Sequence, residues 1–340
     1  MPIQALSPTR VDLVGGTLDI APMTQILTHK KTVNFGISLF AGVTIRKSPG
    51  TFVIRSIDQN IDIEGNWRDI CSAGRLPLLE KILAHFWHPE LPPISIEVQA
   101  RSPAGAGLGG SSCLGIAFAS GLIRGRAELG MPLDLTEKEL VQHVQDLETA
   151  VIRVPTGCQD YWGGLRGGIN IISYPPGGVE VETLRKVGNE QLSDMLLLCY
   201  SGVSRASGTN NWAIFKKAFD GDQHTLNILG DIGKLSDGVA IAVKNHDWTE
   251  AFRLSAAEWR LRTKLWSDIE TVETKALTAA ALKAGASFAR ICGAGGGGVM
   301  AVFAPRERHV SVKQALESTG GSILNGEVCF SPTEVKGSLV

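Results

Sequence analysis

Pro103-Ala104-Gly105-Ala106-Gly107-Leu108-Gly109-Gly110-Ser111-Ser112 lies between two segments of opposite periodicity. Before it, Ile94-Ser95-Ile96-Glu97-Val98 alternates as a strand does. After it, Leu114, Phe118 and Leu122 share one helical face, so a helix is expected from about Ser111. Glycines between a strand and a helix let backbone N–H groups converge, and the helix start adds partial positive charge. Pro103, Gly105, Ala106, Gly107, Leu108, Gly109, Gly110, Ser111 and Ser112 therefore read as an anion cradle, with the two serines offering hydroxyls to a phosphate or to Mg2+. The bland alternative is a tight strand-to-helix turn capped by serine.

Two stretches, Gly105-x-Gly107-x-x-Gly110 and Gly293-x-Gly295-x-x-Gly298, satisfy the dinucleotide fingerprint. The second precedes the apolar run Val299–Phe303 rather than a helix, which is the wrong context. The first follows a proline and carries a serine pair that suits a metal-bound triphosphate better than a dinucleotide. No lysine follows its glycines, so it is not a Walker A loop either. A dinucleotide-dependent oxidoreductase is accordingly the weaker reading.

Downstream, Thr136 and Glu139 form a capping box, and Leu140, Val144, Leu147 and Val151 continue it as an apolar helical stripe. Glu148 falls inside that stripe. A carboxylate there is costly unless stabilised, so it reads as an Mg2+ ligand, or else as a side chain that reaches solvent or pairs with Arg153. Asp160 follows in the glycine-rich segment Gly157–Gly168, expected as a loop. It either orients a hydroxyl and accepts its proton, or shapes the loop. Arg10, Asp12 and Asp19 flank Gly15-Gly16. Arg10 could offset charge on a transferred phosphoryl group, but taken alone the three read as surface charges. The histidines, His85 and His88 included, have no companion ligands at metal spacing, and Trp212, Trp248, Trp259 and Trp266 read as packing residues.

The bulk of the chain sets bounds on these readings. At 340 residues it has room for two domains, and 44% hydrophobic residues suffice for a core. Charge is balanced, 33 Lys and Arg against 34 Asp and Glu, which argues against a nucleic-acid binder with a broad basic face. Six scattered cysteines show no C-x-x-C spacing, so neither a disulfide framework nor a zinc site is expected. With no long apolar run and no signal-like start, a cytoplasmic protein without membrane contact is expected. Strands and helices interleave without clean βαβ units, which favours α+β, with a domain change near residue 187 after Pro175-Pro176-Gly177-Gly178.

Three ordered stretches together resemble the GHMP kinases, the group containing galactokinase, homoserine kinase and mevalonate kinase. They are Ser7–Asp19 (Ser-Pro-Thr-Arg-Val-Asp-Leu-Val-Gly-Gly-Thr-Leu-Asp), Pro103–Ser112 and Gly293–Gly298. The Gly15-Gly16 pair, Gly157-Cys158-Gln159-Asp160 and Tyr200–Ser207 are most similar to the branch with heptose 7-phosphate kinase and fucokinase. The resemblance implies an N-terminal α/β domain with a left-handed crossover over 1–187, and a ferredoxin-like domain over 188–340. It implies ATP and Mg2+, with Ser111 and Glu148 holding the metal, Asp160 facing the acceptor hydroxyl and Arg10 beside it. Asp19 and Gly16 fall at substrate-binding positions, and the glycines at 293–298 would support the phosphate loop. Gly110 stands where the family usually has serine, and Gly16 where galactokinases have a sugar-binding Glu, which argues against galactose. The expected substrate is a small sugar or sugar phosphate, heptose 7-phosphate among them, and the expected state a monomer or homodimer. A non-sugar alcohol acceptor and a non-catalytic ligand sensor are the alternatives.

Overall fold

The computed structural model describes residues 1–103, 105–185, 187–204 and 209–339. Ala104 of the glycine loop, and Arg205, Ala206 and Ser207 of the stretch after Tyr200, lie outside the described residues.

Two long strands organise the first half: β1 (Ile3–Val14) and, after the short helix α1 (Met23–Ile26), its antiparallel partner β2 (Lys31–Lys47). β1 runs through Pro8, which does not end it. The register shifts between Ser7 and Thr9, so the proline falls at a bulge where its missing N–H breaks no ladder bond. There follow β3 (Phe52–Ser56), β4 (Ile61–Gly65), α2 (Trp67–Ile70), α3 (Pro77–Phe86), β5 (Ile94–Ala100), α4 (Gly110–Glu128), α5 (Glu137–Ile152), α6 (Gln159–Arg166), β6 (Ile169–Ser173) and β7 (Glu180–Leu184). Besides β1, β2 serves two further neighbours: Ala41–Lys47 pairs with β5, and Lys31–Phe35 pairs with β6. β5 continues to β3 and β4, the β3–β5 pair being parallel.

α4 is buried along most of its length, through Cys113, Ile116, Phe118 and Leu122 among others. It starts where the glycine loop ends, and α5 starts at the expected capping box of Thr136 and Glu139. The two helices approach closely because residue 115 is glycine: a Cβ there would lie 2.6 Å from Val144 Cγ1. One turn before Gly115 stands Ser111, and one turn after Val144 stands Glu148, so this contact sets serine against glutamate. The segment Gly157–Gly168 is not a loop throughout, as expected, but contains α6, with Asp160 in its first turn. Its glycines serve packing. A Cβ at Gly163 would lie 2.8 Å from Arg10 Cβ, and one at Gly164 2.6 Å from Ser7 Oγ, so α6 rests directly on β1.

The second half comprises α7 (Glu190–Met195), β8 (Leu196–Tyr200), α8 (Thr209–Phe219), α9 (Gln223–Lys244), α10 (Trp248–Leu265), α11 (Val272–Lys283), β9 (Phe288–Ile291), β10 (Val299–Phe303), α12 (His309–Ser318) and β11 (Ser322–Leu324). The sheet order is β11-β8-β10-β9, antiparallel throughout. With helices between β8 and β9 and between β10 and β11, this is the ferredoxin-like arrangement. The architecture is α+β with two sheets. The tail departs from the expected division into 1–187 and 188–340. Val328 bridges Ile37, and β12 (Glu334–Lys336) pairs with β1, covering an edge that would otherwise be open. One hydrophobic core joins Val11, Leu13, Val33 and Phe35 of the first sheet to Leu198, Met300 and Phe303 of the second. Among the described residues no helix is long and apolar enough to cross a membrane.

Candidate active site

The loop carbonyls face inward. Ala106 O accepts from Val299 N (2.8 Å), Gly107 O from Arg10 Nη1 (2.6 Å) and Leu108 O from Arg10 N (3.1 Å). In a planar trans peptide the N–H points opposite to the C=O, so the amides of Gly107, Leu108 and Gly109 turn away from these partners. Gly109 takes a left-handed conformation (φ 71°) at the start of α4, whose first turn carries neither a side-chain cap nor an acidic residue. The result is a concave set of N–H donors at an open helix start, suited to phosphate oxygens. The first stretch (Arg10) and the third (Val299, directly after Gly298) both brace it.

Glu148 is buried, 5% exposed, and its carboxylate gathers three hydroxyls. Ser111 Oγ donates to Oε1 at 2.5 Å, and Ser112 Oγ and Tyr161 OH each donate to Oε2 at 2.7 Å. Burial pushes its pKa up, against the hydroxyl bonds that favour the charged form. It neither reaches solvent nor pairs with Arg153, which ends α5 in a left-handed conformation. Ser111, by contrast, is exposed.

Arg10 also anchors Asp160. Its Nε lies 2.7 Å and its Nη2 2.6 Å from Asp160 Oδ1. Burial disfavours the guanidinium charge, but Asp160 and then Asp12 outweigh it and hold the pKa above the usual range. The Asp160 side chain is 25% exposed and so can be reached from solvent. The preceding backbone is pinned: Asn34 Nδ2 donates to Gln159 O at 2.9 Å, and Gln159 N donates to Asp19 Oδ2 at 3.1 Å. Glycine suits residue 109, whose φ of 71° is left-handed and where a Cβ would lie 3.0 Å from Asp160 Cγ.

Arg10, Asp12 and Asp19 are all buried, contrary to the expectation of surface charges. Asp12 Oδ2 accepts from Arg290 Nη2 (2.8 Å) and Arg262 Nη1 (3.2 Å), and its Oδ1 accepts from Gly293 N (2.9 Å). Burial opposes its charge, but Arg290, Arg262 and Arg10 bring its pKa down to about 2. Glu258 completes the cluster, 3.2 Å from Arg290 Nη1, so the second half of the chain grips the first stretch through buried ion pairs. Asp19 differs: burial, then the charge of Asp160, pushes its carboxyl up to about 8, and its Oδ1 has no hydrogen-bond partner among the described residues.

Two family models match the chain: GHMP kinases N terminal domain over residues 77–168, and GHMP kinases C terminal over residues 239–321. Together they cover just over half of it, in the expected order. The chain belongs to the GHMP kinase family. Solved structures of similar fold include a D-glycero-D-manno-heptose 1-phosphate kinase from Bacteriodes thetaiotaomicron (TM-score 0.77, 19% identity, 98% of this chain and 99% of that one). Lactococcus lactis galactokinase complexed with galactose is similar at TM-score 0.75 and 16% identity, covering 98% of this chain and 95% of that one. Streptococcus pneumoniae phosphomevalonate kinase in complex with phosphomevalonate and AMPPNP is similar at TM-score 0.75 and 14% identity, covering 96% and 99%. A search of curated protein sequences found no match.

In this GHMP kinase the three stretches converge on one site, and Gly16 has a packing reason there. A Cβ at residue 16 would lie 2.8 Å from Gln159 Nε2 and 2.9 Å from Asp12 Oδ2. Spacing alone gave no sign of Arg262, Arg290 or Glu258. The available signals were a charged residue inside the apolar strand Phe288–Ile291, and Glu258 four residues before Arg262 on a helix. Tyr161, the third hydroxyl on Glu148, had no signal. Trp248 and Trp259 are buried as expected, but Trp212 is 53% exposed. His85 hydrogen-bonds His143 at 3.0 Å, a ring-to-ring contact and not a metal-ligand set.

Proposed function

We propose that this GHMP kinase transfers the γ-phosphoryl group of ATP to a hydroxyl of a sugar or sugar phosphate. The observation that carries the reading is Arg10, which bonds the phosphate loop at Gly107 O with one nitrogen and Asp160 with two others. One buried cation thereby fixes the distance between the triphosphate cradle and the acid that meets the acceptor.

Ser111 and Glu148 suit Mg2+. They supply hard oxygen ligands, one exposed hydroxyl and one carboxylate, beside a phosphate cradle, and Mg2+ is commonly held by one or two carboxylates together with phosphate oxygens. Among the described residues no group of three or more His, Cys, Asp or Glu could hold a metal. When bound, the ion offsets charge on the phosphate oxygens.

The protein's own groups do the rest. Loop amides and the start of α4 hold the β- and γ-phosphates. Asp160 accepts a hydrogen bond from the acceptor hydroxyl, aligns it for in-line attack and receives its proton. Arg10 stabilises charge developing on the phosphoryl oxygens and keeps Asp160 in place. Gly16, free of the side chain that galactokinases carry there, and Asp19 border the acceptor.

31P NMR tests the transfer directly. With Mg-ATP and an accepted sugar, the γ resonance should decline as a phosphomonoester resonance grows in equal amount. Release of inorganic phosphate without a new ester would refute transfer to an alcohol.

A further inference from the structure

A cleft of about 470 Å3 is walled by Asp19, Gln25 and Lys30 from the region after β1, Gln142 and Gln145 of α5, and Tyr174 after β6. Asp19 joins it to the site already described. Its Oδ2 is held by the backbone N–H of Gln159, the residue before Asp160, while its Oδ1 is buried with no hydrogen-bond partner among the described residues. A buried polar atom left open in this way is one that a bound group can complete.

The lining has a simple charge balance. Lys30 makes no ion pair among the described residues. Asp19 is the only carboxyl in the lining, and with its pKa pushed up to about 8 it is mostly protonated near neutral pH. Burial likewise keeps the Cys158 thiol and the Tyr174 phenol neutral. One ammonium thus faces a cleft of amides and hydroxyls, with a protonated acid able to donate between it and Asp160.

We infer that this cleft is the outer half of the acceptor site, and that Lys30 binds an anionic group, phosphate or carboxylate, on the acceptor. This rests on the kinase reading above. An acceptor then lies with its reacting hydroxyl at Asp160, a second oxygen at Asp19 and its anionic end at Lys30. Gln142 and Gln145 spend their amide nitrogens on Asp146 Oδ1 and Thr156 O, so what they offer a ligand along the way is their amide oxygens.

The test uses inorganic phosphate and acetate as separate probes, titrated calorimetrically into the full chain saturated with Mg-AMPPNP so that the phosphate loop is occupied. One of the two should bind the wild type, and Lys30→Gln should weaken it about tenfold or more, since hydrogen bonds to charged groups carry at least that factor. Lys30→Arg should keep the binding. Phosphate binding identifies a phosphorylated acceptor, and acetate binding a carboxylate. No binding of either probe, or equal binding to wild type and Lys30→Gln, overturns the inference while Mg-AMPPNP still binds. Failure of Mg-AMPPNP itself to bind overturns the kinase reading and this inference with it.

Discussion

Asp160 and Arg10, 150 residues apart in the chain, form a two-point contact at 2.7 and 2.6 Å while Arg10 also bonds Gly107 O. The acid is therefore positioned by the same side chain that braces the phosphate loop. Asp160→Asn should keep the shape and lose the proton acceptor. Turnover should fall about 100- to 10,000-fold, the usual contribution of a positioned acid or base, while KM for ATP stays within about threefold. Steady-state ADP release measures both, and unchanged turnover would remove Asp160 from the mechanism.

Arg10→Lys should be almost as damaging despite retaining charge. An ammonium is a point donor and cannot span Gly107 O and Asp160 together. Turnover should drop about tenfold or more, with KM for ATP rising as well because the loop loses its brace. A lysine variant with wild-type constants would contradict the bridging role.

Glu148→Gln removes the negative charge but keeps an acceptor for the hydroxyls of Ser111, Ser112 and Tyr161. The Mg2+ concentration for half-maximal rate should rise about tenfold or more, with little change in melting temperature. Glu148→Ala strands the hydroxyls and should also cost about 1–3 kcal/mol of stability in urea denaturation. An unchanged Mg2+ titration in the Gln variant counts against metal binding at Glu148.

Asp19 makes stability depend on pH in a definite direction. Its pKa rises from an ordinary 3.8 to about 8 on folding, so the folded state holds a proton that the unfolded state releases. Its stabilising contribution is complete below pH 3.8 and is lost as pH rises through 8. Asn does not titrate, so Asp19→Asn should gain on the wild type between pH 5 and pH 8.5, by a few kcal/mol at order of magnitude. Melting curves at the two pH values give the sign, and a constant difference would mean that Asp19 ionises normally.

Arg290→Met leaves Asp12 and Glu258 as buried carboxylates with reduced pairing. Breaking a buried pair from one side costs about 3–5 kcal/mol, so denaturant midpoints should fall steeply. Arg262 also pairs with Asp12 and Glu258, so only the joint replacement of Asp12, Glu258, Arg262 and Arg290 by apolar residues of similar volume, which leaves no charge of the cluster unpaired, should recover part of that loss.

The strand–loop–helix order at Pro103–Ser112 and the capping box at Thr136 were legible because local rules decide them: periodicity, glycine clustering and cap chemistry. Glu148 was legible for a different reason, since a carboxylate within an apolar stripe demands a partner. What it partners with, Ser111, Ser112 and Tyr161, depends on the Gly115–Val144 contact, which is a tertiary event. The same holds for α6: Gly163 and Gly164 look like loop residues until β1 is laid against them. Asp12, Asp19 and Arg10 looked like surface charges because nothing local reveals that Arg262 and Arg290 arrive from the other half of the chain. The return of residues 334–336 to β1 is likewise invisible in a segment too short to show a pattern.

The central claim is phosphoryl transfer from ATP to a sugar-type hydroxyl through the Arg10–Asp160 pair. Its most direct test is ADP release from Mg-ATP across free sugars, sugar phosphates, mevalonate and homoserine, run in parallel with wild type and Asp160→Asn. The account predicts turnover with a sugar or sugar phosphate, lost in the variant while Mg-ATP still binds. Turnover only with mevalonate or homoserine, or none with any acceptor on a protein that binds Mg-ATP, would contradict it.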